Sequence, residues 1–184
     1  MSRGPPAFRV RGRGRRAACL GLLVCPVSAS AHLVQTGFGT FYDGLVHLVI
    51  TPGDILLVLG VALLAGLRGP PAARTALVVL PATWFAGGMV GLYRPVAETW
   101  PGAGILMVGV AGALVAADAQ LPRTMLAGVA GIAGVWAGYL NGCAMSLAGM
   151  DWLSVLGAAL GVFVAATLVP AAVVALPRPW MRIP

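Results

Sequence analysis

The sequence predicts an all-α fold, a polytopic bundle of transmembrane helices, and three observations carry that prediction. The 184 residues are 59% hydrophobic and only 9% charged, with a mean hydropathy of +0.93. A soluble domain carries about 25% charged residues. The apolar material lies in long stretches separated by short joints of arginine, proline and glycine, such as Arg68-Gly69-Pro70-Pro71, Leu121-Pro122-Arg123 and Pro177-Arg178-Pro179. Glycine also recurs at helical spacing, at Gly134, Gly138 and Gly142 and again at Gly157 and Gly161. Such small-xxx-small faces let helix backbones approach closely in lipid.

The N-terminal segment reads as targeting rather than fold. Arg3, Arg9, Arg11, Arg13, Arg15 and Arg16 precede a short apolar run, 17–24, and then Ala29-Ser30-Ala31. A basic region, a short apolar core and an A-x-A site make a secretory signal peptide. Residues 1–31 are therefore expected to be a leader cut after Ala31, and 32–184 the transmembrane helical domain. The formal charge of +7 resides largely in that leader. The mature chain would hold six arginines against Asp43, Asp54, Glu98, Asp118 and Asp151, and nucleic acid is excluded as a partner. Cys19 and Cys25 would leave with the leader, so Cys143 could form no intrachain disulfide.

A bilayer core of about 30 Å needs roughly 17–25 helical residues. About five stretches qualify: 45–67, 75–92, 99–119, 124–140 and 153–176. With the mature N-terminus outside, Arg68, Arg74, Arg123, Arg178 and Arg182 fall on the cytoplasmic side and only Arg94 falls outside. That is the positive-inside bias, and it agrees with signal cleavage. The expected location is a bacterial inner membrane, with membrane lipid as the obligatory surroundings.

The first stretch is interrupted. His47 is followed by Thr51-Pro52-Gly53-Asp54, a run that removes a backbone donor, loosens the helix and places an acid near hydrocarbon. Two structures fit. One is a single kinked span with Asp54 near its middle. In the other, Thr51 is an N-cap, Pro52 takes N1 and Asp54 at N3 completes a capping box, leaving 37–50 as a separate interfacial or re-entrant helix. Either can present polar groups to an ion, as broken helices do in transporters. The remaining candidates are His32, whose amine and imidazole would chelate together at a mature N-terminus, Asp43, and a cluster of Asn141, Cys143 and Met145 at the expected outer end of the fourth span.

These residues together resemble the HupE/UreJ family, membrane proteins associated with hydrogenase and urease and regarded as nickel or cobalt permeases. The family's motif His-Pro-Leu-x-Gly-x-Asp-His is similar to residues 47–54, and Phe-His-Gly-x-x-His-Gly-x-Glu is similar to residues 136–144. Six residues separate His47 from Asp54 where the family has five, and the motif's last histidine is Ile55. In the second motif the two histidines fall on Ala137 and Asn141, and the glutamate falls on Ala144. The resemblance implies a metal site drawn from His32, His47, Asp54 and Asn141, with Ni2+ or Co2+ as the transported ion and no resident cofactor.

Two functions follow. One is a permease or handler of a divalent transition metal. The other is a non-transporting accessory or assembly partner that keeps the scaffold without the metal ligands, working with a membrane protein partner or as a homo-oligomer. An enzyme is not expected, since no Ser-His pair has catalytic spacing and no His-Glu-x-x-His occurs. N-terminal sequencing of the purified protein should begin at His32. A sequence starting upstream of residue 31 would contradict the leader and the orientation built on it.

Overall fold

The computed structural model describes residues 36–96 and 102–176, all of it helix and short connections. α1, Thr40–Ile50, follows Gly39, whose φ of 103° is the left-handed conformation glycine adopts without strain. Its buried residues are Asp43, Gly44, His47 and Leu48, a stripe one helical turn apart along a single face. Thr51 is extended (φ −96°, ψ 97°), and Pro52 starts α2, Pro52–Leu67, from the first helical position. There the missing N–H costs nothing, because that group has no intrahelical partner. The two helices meet at 76°. The first stretch is therefore two helices, as the separate-helix reading expected.

Gly69 (φ 91°) turns the chain into α3, Pro70–Tyr93. α4, Gly102–Ala116, ends at a turn where Asp118 holds a φ of 44°. α5, Arg123–Leu147, then returns, and Asp151 caps α6, Trp152–Ala175, by accepting from the Leu153 N–H at 3.0 Å. Three of these helices, α3, α5 and α6, are long and apolar enough to cross a membrane, and the bent pair α1–α2 makes a fourth span if taken together. The expected fifth is α4. Its 15 residues rise about 22 Å, short of a hydrocarbon core of about 30 Å.

α3 and α5 form the principal pair of the bundle. A Cβ on Gly138 would collide with the carbonyl oxygen of Trp84, one on Gly142 with that of Gly88, and one on Gly134 with the Thr83 hydroxyl. The relation is reciprocal, since Gly87 and Gly91 of α3 lie as close to the carbonyls of Val135 and Tyr139. The same device joins α1 to α6, through Gly44 on the Ser154 carbonyl and Gly157 on that of Phe41. Backbone meets backbone here, and dispersion replaces the hydrophobic drive that lipid cannot supply.

α6 also packs on α2 and α3, while α4 rests mainly on α2. The core between them is built around Trp84, Leu80, Leu57, Val61, Ala133 and Val162. Outward, Val78, Ile105, Ile132 and Leu168 are all more than 60% exposed. So continuous an apolar surface is suited to acyl chains rather than water.

Gly142→Ala should lower the thermal unfolding temperature of the detergent-solubilised protein, because overpacking a rigid contact costs about 1–3 kcal/mol. Gly128→Ala in the same helix meets open space and should leave stability unchanged or raised. Equal effects of the two would contradict the packing described for α3 and α5.

Candidate functional site

The break between α1 and α2 puts its polar groups to uses the sequence did not specify. Thr51 stands at the N-cap position and Pro52 at N1, as expected. The capping box itself does not form. The Thr51 hydroxyl turns back and donates to the His47 carbonyl at 2.8 Å, beside the Thr51 N–H, which donates to the same oxygen at 3.1 Å. This closes the last turn of α1. The Asp54 N–H is satisfied by the Thr51 carbonyl at 3.1 Å, which leaves the Asp54 side chain free of capping duty.

That carboxylate instead reaches across the bundle. Asn141 of α5 donates from Nδ2 to Asp54 Oδ2 at 2.7 Å and to the Ala137 carbonyl, one turn earlier in its own helix, at 3.0 Å. Both amide hydrogens are thereby committed. Among the described residues, Asn141 Oδ1 is buried and has no partner. His47 is 4% exposed, and its Nδ1 is likewise buried without a partner among the described residues. Asp54 on α2 and Asn141 on α5 thus meet directly, while the His47 imidazole belongs to the last turn of α1, one turn before the break. Unpaired polar atoms are costly in such surroundings and require an explanation. Oxygen and neutral nitrogen donors suit a divalent first-row transition metal.

The other candidates are placed differently. Asp43 is buried but already satisfied, its Oδ1 accepting from both the N–H and the hydroxyl of Thr36 at 2.6 Å. It ties the segment before α1 to that helix. Met145 packs in an apolar cluster with Leu92, Val155 and Ala158. Cys143 is a buried free thiol. Both lie inside α5, which continues about two turns beyond the end expected at residue 140. His32 lies outside the described residues. Among the described residues, no three His, Cys, Asp or Glu side chains gather as a metal site.

One residue was missed by sequence reasoning. Trp84 is fully buried in α3, and its indole Nε1 has no hydrogen-bond partner among the described residues. It shares a core cluster with Leu48, next to His47, and with Ala137, one turn before Asn141. A tryptophan at midspan, three residues before Gly87-Gly88, was the available signal.

Comparison with known families matches residues 20–183 to the HupE / UreJ protein family. No curated protein and no solved structure matches the chain. A match over nearly the whole length shows membership: the chain belongs to the HupE/UreJ family.

The contact between Asp54 and Asn141 can be measured by a double-mutant cycle. Thermal unfolding of Asp54→Ala, Asn141→Ala and the double variant should give a coupling energy of about 1 kcal/mol, the scale of an interhelical hydrogen bond. Additive effects would contradict the contact.

Proposed function

We propose that this HupE/UreJ family member takes up or handles a divalent transition-metal ion, nickel or cobalt, at the break between α1 and α2. The carrying observation is the Asn141–Asp54 hydrogen bond beside that break, together with the buried and unpartnered Asn141 Oδ1 and His47 Nδ1. Asp54 supplies the negative charge that offsets a dication in a medium of low dielectric constant. His47 binds through its ring nitrogen, and Asn141 contributes its amide oxygen while holding the Asp54 carboxylate in place. His32, as the residue freed at the mature N-terminus on the outer face, is the first ligand an incoming ion meets. Family membership and the apolar helices support a multi-pass membrane protein. The arginine distribution supports the bacterial inner membrane, with the break toward the outside.

The glycine contact of α1 with α6 is where movement enters this reading, while that of α3 with α5 holds Asn141 in place. Backbones without intervening side chains can slide past each other with little repacking. Helix α1, held to α6 through Gly44 and Gly157, is the element whose displacement would open the break.

A second reading has an observation of its own. Among the described residues no three His, Cys, Asp or Glu side chains gather, and four positions of the resembling motifs carry Ile55, Ala137, Asn141 and Ala144. That pattern favours an accessory protein that stabilises a membrane complex and carries no ion.

Uptake of radioactive nickel by cells producing the protein separates the two. Asp54→Asn should reduce uptake by at least the roughly 10–100-fold lost when a group that only orients a metal ligand is removed. Unchanged uptake by an active carrier would remove Asp54 from the path. Metal analysis of the purified protein should show a loss in His47→Ala; equal metal in wild type and variant would leave the accessory reading ahead.

A further inference from the structure

The end of the bundle opposite the break carries a second polar construction. Helix α2 ends there at Leu67, and α3 and α5 begin there at Pro70 and Arg123. Between them opens a cleft of about 430 Å³, to which Arg68, Arg123 and Gln120 contribute polar groups and Leu67, Leu121 and Pro122 an apolar wall. The volume falls in the range of small-ligand sites, about 300–1,000 Å³.

The cleft is held in shape. Arg68 pairs through Nη2 with Asp118, and its side chain is only 11% exposed. Asp118 has a left-handed backbone, and its carbonyl and its Oδ2 each accept from Gln120 Nε2 at 3.2 Å. Arg123 donates from Nε to the Thr75 hydroxyl at 2.6 Å, which anchors the start of α5 against α3. Two features are left over. The buried Arg68 Nε has no partner among the described residues. Among the described residues, two guanidinium groups are also balanced by one carboxylate, leaving a single positive charge on the cleft.

We infer that this cleft binds the phosphodiester headgroup of an anionic phospholipid. A phosphodiester carries one negative charge, which matches the surplus. Its oxygens accept hydrogen bonds in the planar geometry that guanidinium groups offer. The ends of spanning helices lie at headgroup depth, where basic clefts between helices hold anionic lipid. The apolar wall of Leu67, Leu121 and Pro122 accommodates the glycerol and the first acyl carbons. Free phosphate shares the recognition chemistry, but gains nothing from that wall.

The test uses the full-length protein purified in detergent, with phosphatidylglycerol, phosphatidylcholine or inorganic phosphate added, followed by thermal unfolding and by native mass spectrometry. Phosphatidylglycerol should raise Tm by about 2–4 °C and remain bound as one retained lipid, whereas phosphatidylcholine, which has the same phosphodiester but brings its choline cation against the surplus positive charge of the cleft, should do neither. Arg123→Gln should lose both effects. Gln120→Glu, an exposed change that keeps both arginines, should weaken them by adding a carboxylate to the lining. Arg74→Gln alters an exposed arginine outside this cleft and should behave as wild type. Equal stabilisation by phosphatidylcholine, full stabilisation by inorganic phosphate alone, or undiminished lipid retention in both Arg123→Gln and Gln120→Glu would overturn the proposal.

Discussion

Hydrocarbon cannot hydrogen-bond to a peptide group, and that constraint governs everything at the head of this bundle. A chain that stops being helical at Thr51 must find partners for its freed groups inside the protein. Thr51 does so locally, sending both its hydroxyl and its N–H to the His47 carbonyl. The acid three residues later does so at long range, through Asn141 on α5. The break is therefore not a loose joint. It is cross-tied to a helix far away in sequence, and that cross-tie brings polar side chains from α2 and α5 together.

The tie depends on how closely the helices approach. Asn141 lies between Gly138 and Gly142, whose contacts on Trp84 and Gly88 fix α5 against α3 to within backbone distance. Side chains at those positions would push α5 outward and carry Asn141 away from Asp54. The glycines thus do more than hold the bundle together. They set the position of the amide that hydrogen-bonds the half-buried Asp54. At the opposite end Arg68, Asp118, Arg123 and Thr75 perform a comparable joining of α2, α3, α5 and the turn after α4. The molecule is pinned at both ends and packed on glycine between them.

Much of this was legible in the sequence. The apolar stretches between arginine, proline and glycine joints became α2, α3, α5 and α6, because hydrophobic length and helix breakers are local properties. Gly134, Gly138 and Gly142 were recognisable as a packing face from their spacing. Their reciprocal partners Gly87 and Gly91 were not legible in the same way, since a close approach depends on which helix lies opposite. Pro52 and Thr51 marked the break, yet the capping box failed because Asp54 had a better acceptor role across the bundle. Local propensity cannot weigh a partner 87 residues away. Asp43 read as a candidate site residue because its partner, Thr36, sits in a segment without periodicity. Met145 read as a sulfur donor because nothing local revealed that α5 would carry it into an apolar cluster.

The central claim is that the polar groups beside the break share one ion, bound by oxygen and nitrogen. Nickel-edge X-ray absorption on the purified, nickel-loaded protein addresses it directly. The account predicts only oxygen and nitrogen neighbours, with an imidazole contribution from the bundle. Sulfur among those neighbours would move the site to Cys143 or Met145, and a fully hydrated ion would mean no site at all; either result would contradict the account.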